Sequence, residues 1–574
     1  MPRRTHQPPA SIRLSLLRPY QLFLYINTVS KLIITSQKRI EYFAFWVLFV
    51  WKNREMGSLG VLRNTTMVCV PLMRHSVEQM VGDMYQAKIE GADLVELRLD
   101  CLTEFNPQRD LQTLLRNKPL PVAVVYRPKW EGGLYDGDEN SRLEALLLAK
   151  DLGAEYVDFE LQVVTDVIEE RKLNQRRNCK IIVSCFVDGI TSLKEDLSHL
   201  VIRMQSTGAD IIKLVTNATD ITELSRIFHL LSHCQVPLIA YSTGERGLIS
   251  QLLGPKFGGV FVYGSIEGDQ VPGLPTLASL REAYAVENID ADTKVFGLIS
   301  KPVSHSKGPI LHNPTFRHVG FNGVYVPMFV DDLKQFFNVY ESPDFAGYSV
   351  GIPYKEAVME FCDEVHPLAK SIGAVNTIVK RGSDGKLVGY NTDCEASITA
   401  IEDALKARGL VNGEALLPSP LTRKQFVLVG AGGAGRALAF GAKSRGARVT
   451  IFDIDYERAK ALALAVSGEA RPFSELSNFQ PEKGAILANA TPIGMHPNKD
   501  RIPVAEETLR DYSVVFDAVY TPRKTTLLKD AEAAGAVIVS GVEMFLRQAV
   551  GQFNLFTGGK APEEFMREIV LSKF

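Results

Sequence analysis

The chain has 574 residues, of which 46% are apolar and 23% charged, an ordinary composition for a globular protein of two or three domains. A formal net charge of -2 without a long basic block argues against nucleic-acid binding, so any partner should be a small molecule or another subunit. We expect small-molecule substrates and a monomer. The seven cysteines are scattered and form no CxxC pair, which favours reduced thiols and gives no sign of a metal site.

Residues 1–60 form a segment unlike the rest. Before Met56 it is rich in Arg and Lys, with only Glu41 and Glu55 as acids, and its apolar run over residues 42–51 is too short for a membrane span of about 20 residues. Three interpretations stay open: a plastid or mitochondrial transit peptide, an unordered extension or a start assigned upstream of Met56, and a membrane anchor. We expect the plastid stroma, with the cytosol as alternative, and no membrane association.

Residues 61–288 alternate eight short apolar runs with helical stretches, a pattern typical of a closed parallel (β/α)8 barrel. The active site of such a barrel lies at the C-terminal ends of its strands. The candidate residues there are Glu96, Arg98, Arg127 and Lys213. A lysine inside an apolar strand must be paired or have a lowered pKa, and a lowered pKa gives an amine that attacks carbonyls. The alternative is structural, with Lys213 paired to Glu96 or Asp158.

The segments ELRLD, YRPKWEGG and GADIIKLVTNATDIT resemble type I 3-dehydroquinate dehydratases, which form a Schiff base between their lysine and the substrate ketone. The resemblance implies a proton-transferring histidine, a carboxylate-binding arginine and an SAPGQ loop. Here these positions read Phe186, Gln251 and the segment 270–274, QVPGL. Phenylalanine cannot carry a proton, and acid-base help is worth about 10²–10⁴ in rate. We therefore predict a folded barrel with weak or absent dehydratase activity.

Residues 289–405 form a second predicted unit, an α/β substrate domain. It opens with the strand-like KVFGLISKP and an SHSK loop, and two later motifs, SVGIPYKE and GYNTD, carry Lys355 and Asp393. A lysine oriented by a carboxylate suits proton transfer at a hydroxyl that is being oxidised. The spacing alone also allows a solvated surface pair.

Residues 420–545 read as a Rossmann-like NAD(P)-binding domain. The apolar strand QFVLV precedes GAGGAG, whose glycines would let the backbone approach a pyrophosphate at a helix N-terminus: Gly430, Gly432, Gly433 and Gly435. The next strand ends at Asp453, where a carboxylate accepts hydrogen bonds from ribose hydroxyls and repels a 2′-phosphate. The alternative role for Asp453 is to cap the helix that starts near Tyr456.

The second half resembles shikimate dehydrogenases through SHSK, IPYKE, SIGAVNTI, GYNTD, GAGGAG, NATPIGM, FDAVYTP and GVEMFLRQA, and the order of the two halves resembles the fused plant enzyme of the shikimate pathway. The resemblance implies a catalytic pair, Lys355 and Asp393, and a C-terminal helix, 546–574, that returns to the substrate domain. It also implies substrate contacts from Ser306, Asn376, Tyr520 and Gln548, and a cofactor side lined by Asn489, Thr491, Gly541 and Met544.

Two departures from that family bear on the substrate. Gly308 and Gly351 stand where a serine and a threonine are expected, so both hydroxyls that hold the carboxylated end of shikimate are missing. We interpret the glycines as a pocket enlarged for quinate, whose ring carbon one is tetrahedral and carries an additional hydroxyl. A third departure, residues 453–455, reads DID where NADP-linked members commonly show Asn-Arg-Thr, and it favours NAD.

The resulting hypothesis is oxidation of quinate to 3-dehydroquinate with NAD, with shikimate as a poorer substrate and NADP as the less favoured cofactor. The first alternative is the ordinary bifunctional 3-dehydroquinate dehydratase/shikimate dehydrogenase that uses NADP. A second alternative, of a different class, makes the barrel a non-catalytic module that serves folding or partner binding.

Overall fold

The structure is a computed structural model that describes residues 66–116, 118–164, 179–188, 196–269, 273–303, 306–409 and 418–573. The predicted N-terminal extension and positions 270–272 of the altered loop lie outside the described residues. Among the residues that are described, no helix combines the length and the apolar character needed to cross a bilayer.

The first half is a nearly closed barrel of eight parallel strands, with the order β7-β6-β5-β4-β3-β2-β1-β8. Each predicted apolar run is one strand: β1 Met67–Leu72, β2 Leu94–Arg98, β3 Val122–Val125, β4 Tyr156–Glu160, β5 Lys180–Val187, β6 Ile211–Asn217, β7 Leu238–Thr243 and β8 Phe261–Tyr263. Between β7 and β8 the backbone NH of Val260 donates to the carbonyl of Leu238 at 3.2 Å. The predicted barrel is confirmed.

Six helices surround the barrel strands where the structure describes them: α1 Val77–Ile89, α2 Pro107–Arg116, α3 Glu139–Asp151, α4 Leu197–Ser206, α5 Leu224–His233 and α6 Leu248–Leu253. Side chains that precede the first turn satisfy backbone NH groups, as Ser76 does for α1 and Asp138 for α3. The helices cover the outside of the barrel and leave the strand ends to the site.

The second sheet has six strands in the order β10-β9-β11-β13-β14-β12. They are β9 Lys294–Ser300, β10 Gly323–Phe329, β11 Phe345–Val350, β12 Glu364–Val365, β13 Thr377–Lys380 and β14 Leu387–Tyr390. β13 runs antiparallel to β11 and β14, while β9, β10 and β11 are parallel. The C-terminal ends of β9 and β11 therefore present their loops at one edge of the sheet.

The third sheet is parallel throughout, with the order β17-β16-β15-β18-β19-β20. Its strands are β15 Gln425–Val429, β16 Arg448–Asp453, β17 Glu469–Pro472, β18 Ala485–Asn489, β19 Tyr512–Asp517 and β20 Val537–Ser540. The chain order reverses on the two sides of β15, and in open α/β sheets ligands bind beyond the strand ends at such a reversal. This is the predicted Rossmann-like architecture.

Nine described helices belong to the second half: α7 Gly308–His318, α8 Leu333–Val339, α9 Pro367–Ile372, α10 Asp393–Ala407, α11 Gly433–Ser444, α12 Tyr456–Val466, α13 Thr526–Ala533, α14 Gly541–Thr557 and α15 Glu563–Lys573. The chain returns to the second sheet through α14, since Phe556 lies 4.8 Å from Phe296 and Phe553 lies 5.5 Å from Phe316 between ring centroids.

Asp331 joins the two halves at the level of their functional loops. Its carboxylate accepts hydrogen bonds from Arg246, after β7 of the barrel, at 2.5 and 2.9 Å. It also accepts from Lys301, directly after β9, at 2.8 Å. The loop that follows a barrel strand is thus tied to the loop that leads to Ser306.

Candidate active sites

The barrel places Lys213 in the interior at β6, where it is 1% exposed. Its ammonium donates to Glu96 Oε2 at 2.6 Å and to Asp158 Oδ2 at 3.5 Å. The hydroxyl of Tyr263 donates to the same Glu96 oxygen at 2.8 Å. This is the pairing that the structural interpretation of Lys213 predicts.

Glu96 is the ionised carboxylate that pairs with Lys213 in this cluster. Burial would raise the pKa of Glu96, but the positive charges of Lys213 and Arg127 outweigh burial and hold the pKa at about 2. Burial raises the pKa of the neighbouring Asp158 despite the same two cations. The pocket therefore contains one firmly ionised carboxylate beside the lysine.

Phe186, at the end of β5, lies close to Arg127 and Lys213. Its ring lies over the Arg127 guanidinium, 3.4 Å from ring centroid to Cζ, and 5.8 Å from the Lys213 nitrogen. Among the described residues, Nε and Nη2 of Arg127 have no hydrogen-bond partner. A buried cation is thus covered by an aromatic face at the place where the family resemblance expects a histidine.

Gln251 and Arg98 both make local bonds rather than facing the Lys213 ammonium. Gln251 Oε1 accepts from the backbone NH of Tyr263 at 3.0 Å, and its Nε2 has no partner among the described residues. Arg98 donates two hydrogen bonds to Asp100, at 2.9 and 2.7 Å. The structure therefore gives Arg98 a structural ion pair, and of the arginines predicted to bind substrate only Arg127 keeps unbonded donors in the described pocket.

Lys355 and Asp393 meet in the second half. The ammonium donates to Asp393 Oδ2 at 2.6 Å, and the two side chains are 20% and 4% exposed. The alternative of a solvated surface pair is therefore wrong. Asp393 is the first residue of α10, where a carboxylate is stabilised by the helix dipole.

Of the side chains predicted to bind substrate, Asn376 is the one that the hydrogen bonds between described residues link to this pair. Asn376 is held by Thr392, the residue before Asp393, through bonds of 2.9 and 2.8 Å. The Ser306 hydroxyl accepts from the backbone NH of Gly308 at 3.2 Å. Gln548 Nε2 donates to the carbonyl of Phe545 at 3.1 Å, and the Tyr520 ring packs 5.0 Å from the ring of Phe545.

The two glycines do not leave open space. A Cβ on Gly308 would lie 2.6 Å from Cε1 of Tyr325, and a Cβ on Gly351 would lie 2.7 Å from Oγ of Ser300. Tyr325 of β10 and Ser300 of β9 thus occupy the space that side chains at positions 308 and 351 would need. The prediction of an enlarged pocket is wrong in this respect, because each vacated position is occupied by a neighbouring hydroxyl-bearing residue.

The glycine-rich turn after β15 fits a dinucleotide. Gly430 has φ +104°, and a Cβ on Gly435 would lie 1.9 Å from the Gly430 carbonyl, so both positions require glycine. Gly432 is the N-cap of α11 and gives no side-chain cap, so the first NH groups of the helix stay available to an anion. A Cβ on Gly433 would lie 2.9 Å from Cβ of Lys355, which brings the turn next to the predicted catalytic lysine.

Asp453 supports this turn. Its Oδ2 accepts from the backbone NH of Ala431 at 2.6 Å, and its Oδ1 accepts from the NH of Asp455 at 2.8 Å. The cap of α12 is Asp455, which accepts from Arg458 NH at 3.1 Å, so the capping alternative for Asp453 is wrong. Asp453 therefore stands directly beside the glycine-rich turn.

The residues predicted to line the cofactor side surround a buried carboxylate that the sequence argument missed. Asn489 donates to Asp517 at 3.0 Å, and its own oxygen accepts from the Thr491 hydroxyl at 2.7 Å. Burial raises the pKa of Asp517 to about 6. The neighbouring Gly541 admits no side chain, since a Cβ there would lie 2.5 Å from the carbonyl of Ala518, while Met544 is 7% exposed on α14.

A second missed feature is an ion pair across the cofactor cleft. Arg458 donates to Glu356, the residue after Lys355, and a Cβ on Gly432 would lie 3.8 Å from Nη2 of Arg458. Arg458 lies five residues after Asp453 in the first turn of α12, a spacing that could have signalled a cation next to the glycine-rich turn.

These features define a protein that joins an eight-stranded barrel with a buried lysine to a dehydrogenase of the dinucleotide-binding class. Family models match in the same order: type I 3-dehydroquinase over residues 68–291, the shikimate dehydrogenase substrate-binding domain over 298–378, and the shikimate 5′-dehydrogenase C-terminal domain over 541–571.

Similar proteins cover either the whole order or the second half. A bifunctional 3-dehydroquinate dehydratase/shikimate dehydrogenase, chloroplastic, of Arabidopsis thaliana is 51% identical over 91% of this chain and 86% of its own length. A shikimate dehydrogenase (NADP(+)) of Methanopyrus kandleri is 40% identical over 50% of this chain and 97% of its own. A solved quinate dehydrogenase of Corynebacterium glutamicum in complex with NAD is 31% identical over 49% of this chain and 99% of its own, with a TM-score of 0.43.

The chain belongs to the family of fused type I 3-dehydroquinase/shikimate dehydrogenases. The name of the Arabidopsis relative favours the bifunctional alternative over the interpretation as a quinate enzyme with a weakened dehydratase.

Proposed function

We propose that the second half oxidises a ring hydroxyl of quinate, reversibly and with NAD, to give 3-dehydroquinate. The observation that carries the proposal is the partly buried Lys355–Asp393 pair at 2.6 Å, next to a glycine-rich turn that fits a dinucleotide. The proposed cofactor contacts are the turn residues 430–435 with Asp453, Asn489, Thr491, Gly541 and Met544.

Lys355 is the proposed acceptor of the hydroxyl proton. The Asp393 carboxylate fixes the amine and balances the positive charge that Lys355 gains, while the dipole of α10 stabilises the carboxylate. Asn376, held by Thr392, orients the ring hydroxyls beside this pair. A nicotinamide cofactor held at the glycine-rich turn would supply hydride-transfer chemistry at the carbon that bears this hydroxyl.

The choice of quinate rests on the two missing hydroxyls at positions 308 and 351. Each hydrogen bond that shikimate loses there is worth about 0.5–1.5 kcal/mol, or about one to two decades of affinity together. The choice of NAD rests on Asp453, whose negative charge next to the glycine-rich turn opposes a 2′-phosphate. NADP remains the less favoured cofactor in this proposal.

The barrel is proposed to have weak dehydratase activity. Lys213 is retained and could attack a ketone, but Phe186 gives no proton and Gln251 holds a backbone NH instead of a carboxylate. Lys213 Nζ is also engaged by Glu96 at 2.6 Å rather than left free to approach a ketone.

The second candidate is the bifunctional enzyme, with an active barrel that makes 3-dehydroshikimate and a second half that reduces it with NADPH. It is favoured by the 51% identity to the Arabidopsis relative, whose name carries both activities and a chloroplast location. Under either candidate, we propose that this chain is located in the plastid stroma.

One set of assays separates the two candidates. The dehydrogenase activity of the full chain is assayed with quinate and shikimate, each with NAD and NADP. Its dehydratase activity is assayed with 3-dehydroquinate and no cofactor. We expect the highest kcat/KM for quinate with NAD and slow dehydration that Phe186→Leu leaves unchanged. Efficient dehydration together with a preference for shikimate and NADP would establish the bifunctional enzyme instead.

A further inference from the structure

The turn that follows β10 is hydrogen-bonded to the loops on both sides of it. The Val330 NH donates to the Ser300 carbonyl, at the end of β9, at 3.4 Å. The Tyr354 hydroxyl donates to the Val330 carbonyl at 2.7 Å and faces the Asp331 carbonyl at 3.4 Å. Tyr354 directly precedes Lys355, so this turn contacts the neighbour of the proposed proton acceptor.

A small set of hydrogen bonds holds the backbone around Lys355. The Lys355 carbonyl accepts from the Val375 NH at 2.7 Å, and the Tyr354 NH donates to the Gly351 carbonyl at 3.0 Å. The Tyr354 hydroxyl adds the bond that ties this segment to the turn after β10. A shift of the Val330 carbonyl would therefore be passed through the tyrosine to Lys355, whose amine has to meet the substrate hydroxyl at hydrogen-bond distance.

Arg246 of the barrel holds that turn. It lies in the turn 244–247 after β7, which is closed by a hydrogen bond of 3.1 Å between its first carbonyl and its last NH. The guanidinium donates to both carboxylate oxygens of Asp331, at 2.5 and 2.9 Å, and its Cζ lies 4.5 Å from the ring centroid of Phe329. Arg246 thus contacts the residues on both sides of Val330.

Where the structure describes the chain, Asp331 has two cationic partners, and Arg246 is the more directional one. Lys301 donates one bond, at 2.8 Å, from a side chain that is 48% exposed, whereas Arg246 is 30% exposed and donates two. The fork of an arginine matches the two oxygens of a carboxylate, while a lysine acts as a point charge. The hydrogen bond from Arg246, aided by that from Lys301, lowers the pKa of Asp331 to about 2, so this carboxylate stays charged near neutral pH.

We propose that Arg246 is a positioning residue for the dehydrogenase reaction. Through Asp331 and Phe329 it fixes the turn whose Val330 carbonyl holds Tyr354, and with it the backbone of Lys355. The proposal rests on the role of proton acceptor that the proposed function gives to that lysine. It gives the barrel a part in the second reaction that does not depend on dehydratase chemistry.

The test is Arg246→Met in the full chain, with steady-state kinetics on the preferred pair of ring substrate and cofactor. We expect kcat to fall about tenfold and both KM values to stay within about twofold, because a misplaced base slows the chemical step while the binding contacts remain. The matched control is Arg74→Met, which should keep wild-type kinetics. Arg74 is a barrel arginine of similar exposure, 27%, and its partners Asp83 and Asp269 also lie in the barrel. An unchanged kcat in Arg246→Met, or a rise of KM alone, would overturn the proposal.

Tyr354→Phe breaks the same connection at its other end. It removes the hydroxyl that binds the Val330 carbonyl, so we expect a loss of kcat similar to that of Arg246→Met. The double variant should be little slower than the slower single variant, because either substitution already releases Lys355 from the turn. A loss in the double variant equal to the product of the single losses, about a hundredfold, would show that the two residues act independently and would overturn the proposal.

The failure of this proposal and that of the proposed function are distinguishable. A wild-type enzyme that prefers shikimate with NADP refutes the choice of substrate and cofactor, and the same variants are then measured on that pair with the same expected losses. A wild-type kcat in Arg246→Met refutes the positioning role whichever pair is preferred. The urea midpoint of each variant should stay close to that of the wild type, because a partly exposed ion pair adds little to folding. A loss of kcat that only matches a loss of folded protein would overturn the proposal.

Discussion

The guanidinium of Arg458, in the first turn of α12, forms an ion pair with the carboxylate of Glu356, the residue that follows Lys355. The pair links the sheet of the glycine-rich turn to the loop of the predicted catalytic lysine. It also places a cation close to Gly432, where a dinucleotide would carry its phosphates. Glu356 thus partly neutralises the positive charge of Arg458, which would otherwise attract the 2′-phosphate of NADP more strongly.

Glu356→Gln should therefore improve the use of NADP. Exposed ion pairs are worth about 0–1 kcal/mol, so we expect the KM for NADP to fall by up to about fivefold while the KM for NAD changes less. Initial rates with each cofactor at saturating substrate measure the effect. Glu360→Gln, an exposed acid four residues further along, is the control that should change neither value.

Substitutions at Asp453 and Ile454 give a second test of the preference for NAD over NADP. Ile454 is 86% exposed, so an arginine fits there without repacking, and Asp453→Asn keeps an oxygen to accept the Ala431 NH. The double variant Asp453→Asn/Ile454→Arg should raise the NADP/NAD ratio of kcat/KM about tenfold or more, because one charge repulsion is removed and one attraction added. Asp455→Asn, which keeps the cap of α12, serves as control. An unchanged ratio would locate the selectivity elsewhere.

The buried ion pair of Lys213 with Glu96 leads to a prediction about the free energy of unfolding. Lys213→Met leaves Glu96 charged and buried without its partner, and breaking a buried pair in this way costs about 3–5 kcal/mol. Urea unfolding should show that loss in Lys213→Met. The double variant Lys213→Met/Glu96→Gln should recover most of it, because both members of the ion pair are then uncharged. Similar losses in the single and double variants would mean that packing rather than charge holds Lys213.

The sequence predicts most of the fold because its signals are periodic and local. The eight apolar runs of the barrel and the strand-turn-helix around GAGGAG correspond to strands and helices in the structure. The sequence does not predict what fills the space at Gly308, since Tyr325 lies 17 residues away on strand β10 and only tertiary packing brings it to the start of α7. For the same reason the pairing of Arg458 with Glu356, about 100 residues apart, has no sequence signal of its own.

The Lys355–Asp393 pair predicts a large loss of turnover with little loss of binding. Lys355→Met and Asp393→Asn should each lower kcat of the dehydrogenase by about 10²–10⁴, the usual worth of general acid-base help. Cofactor binding, followed by the change in protein fluorescence, should stay within a fewfold because neither side chain caps the glycine-rich turn. Lys334→Met, on α8, is the matched control for removal of a lysine. A variant that keeps wild-type turnover would remove that residue from the proton-transfer role.

The raised pKa of Asp517 predicts a pH dependence of the free energy of unfolding. Burial raises its pKa from 3.8 to about 6, so between these values the folded protein keeps a proton that the unfolded chain loses. The free energy of unfolding contributed by this group is therefore highest below about pH 4 and falls by about 3 kcal/mol as the pH rises to 6. Asp517→Asn cannot titrate and keeps an oxygen toward Asn489, so the difference in unfolding free energy between wild type and variant should show this slope.

Urea unfolding at pH 4, 5, 6 and 7 measures that difference, and Asp500→Asn, an exposed acid in the same half, is the control that should track the wild type at every pH. The quantity compared is the free energy of unfolding of the wild type minus that of Asp517→Asn. If it is constant from pH 4 to 6, or increases with pH, Asp517 is ionised in the folded protein. The hydrogen bonds from Thr525 at 2.6 Å and Asn489 at 3.0 Å would then outweigh its burial.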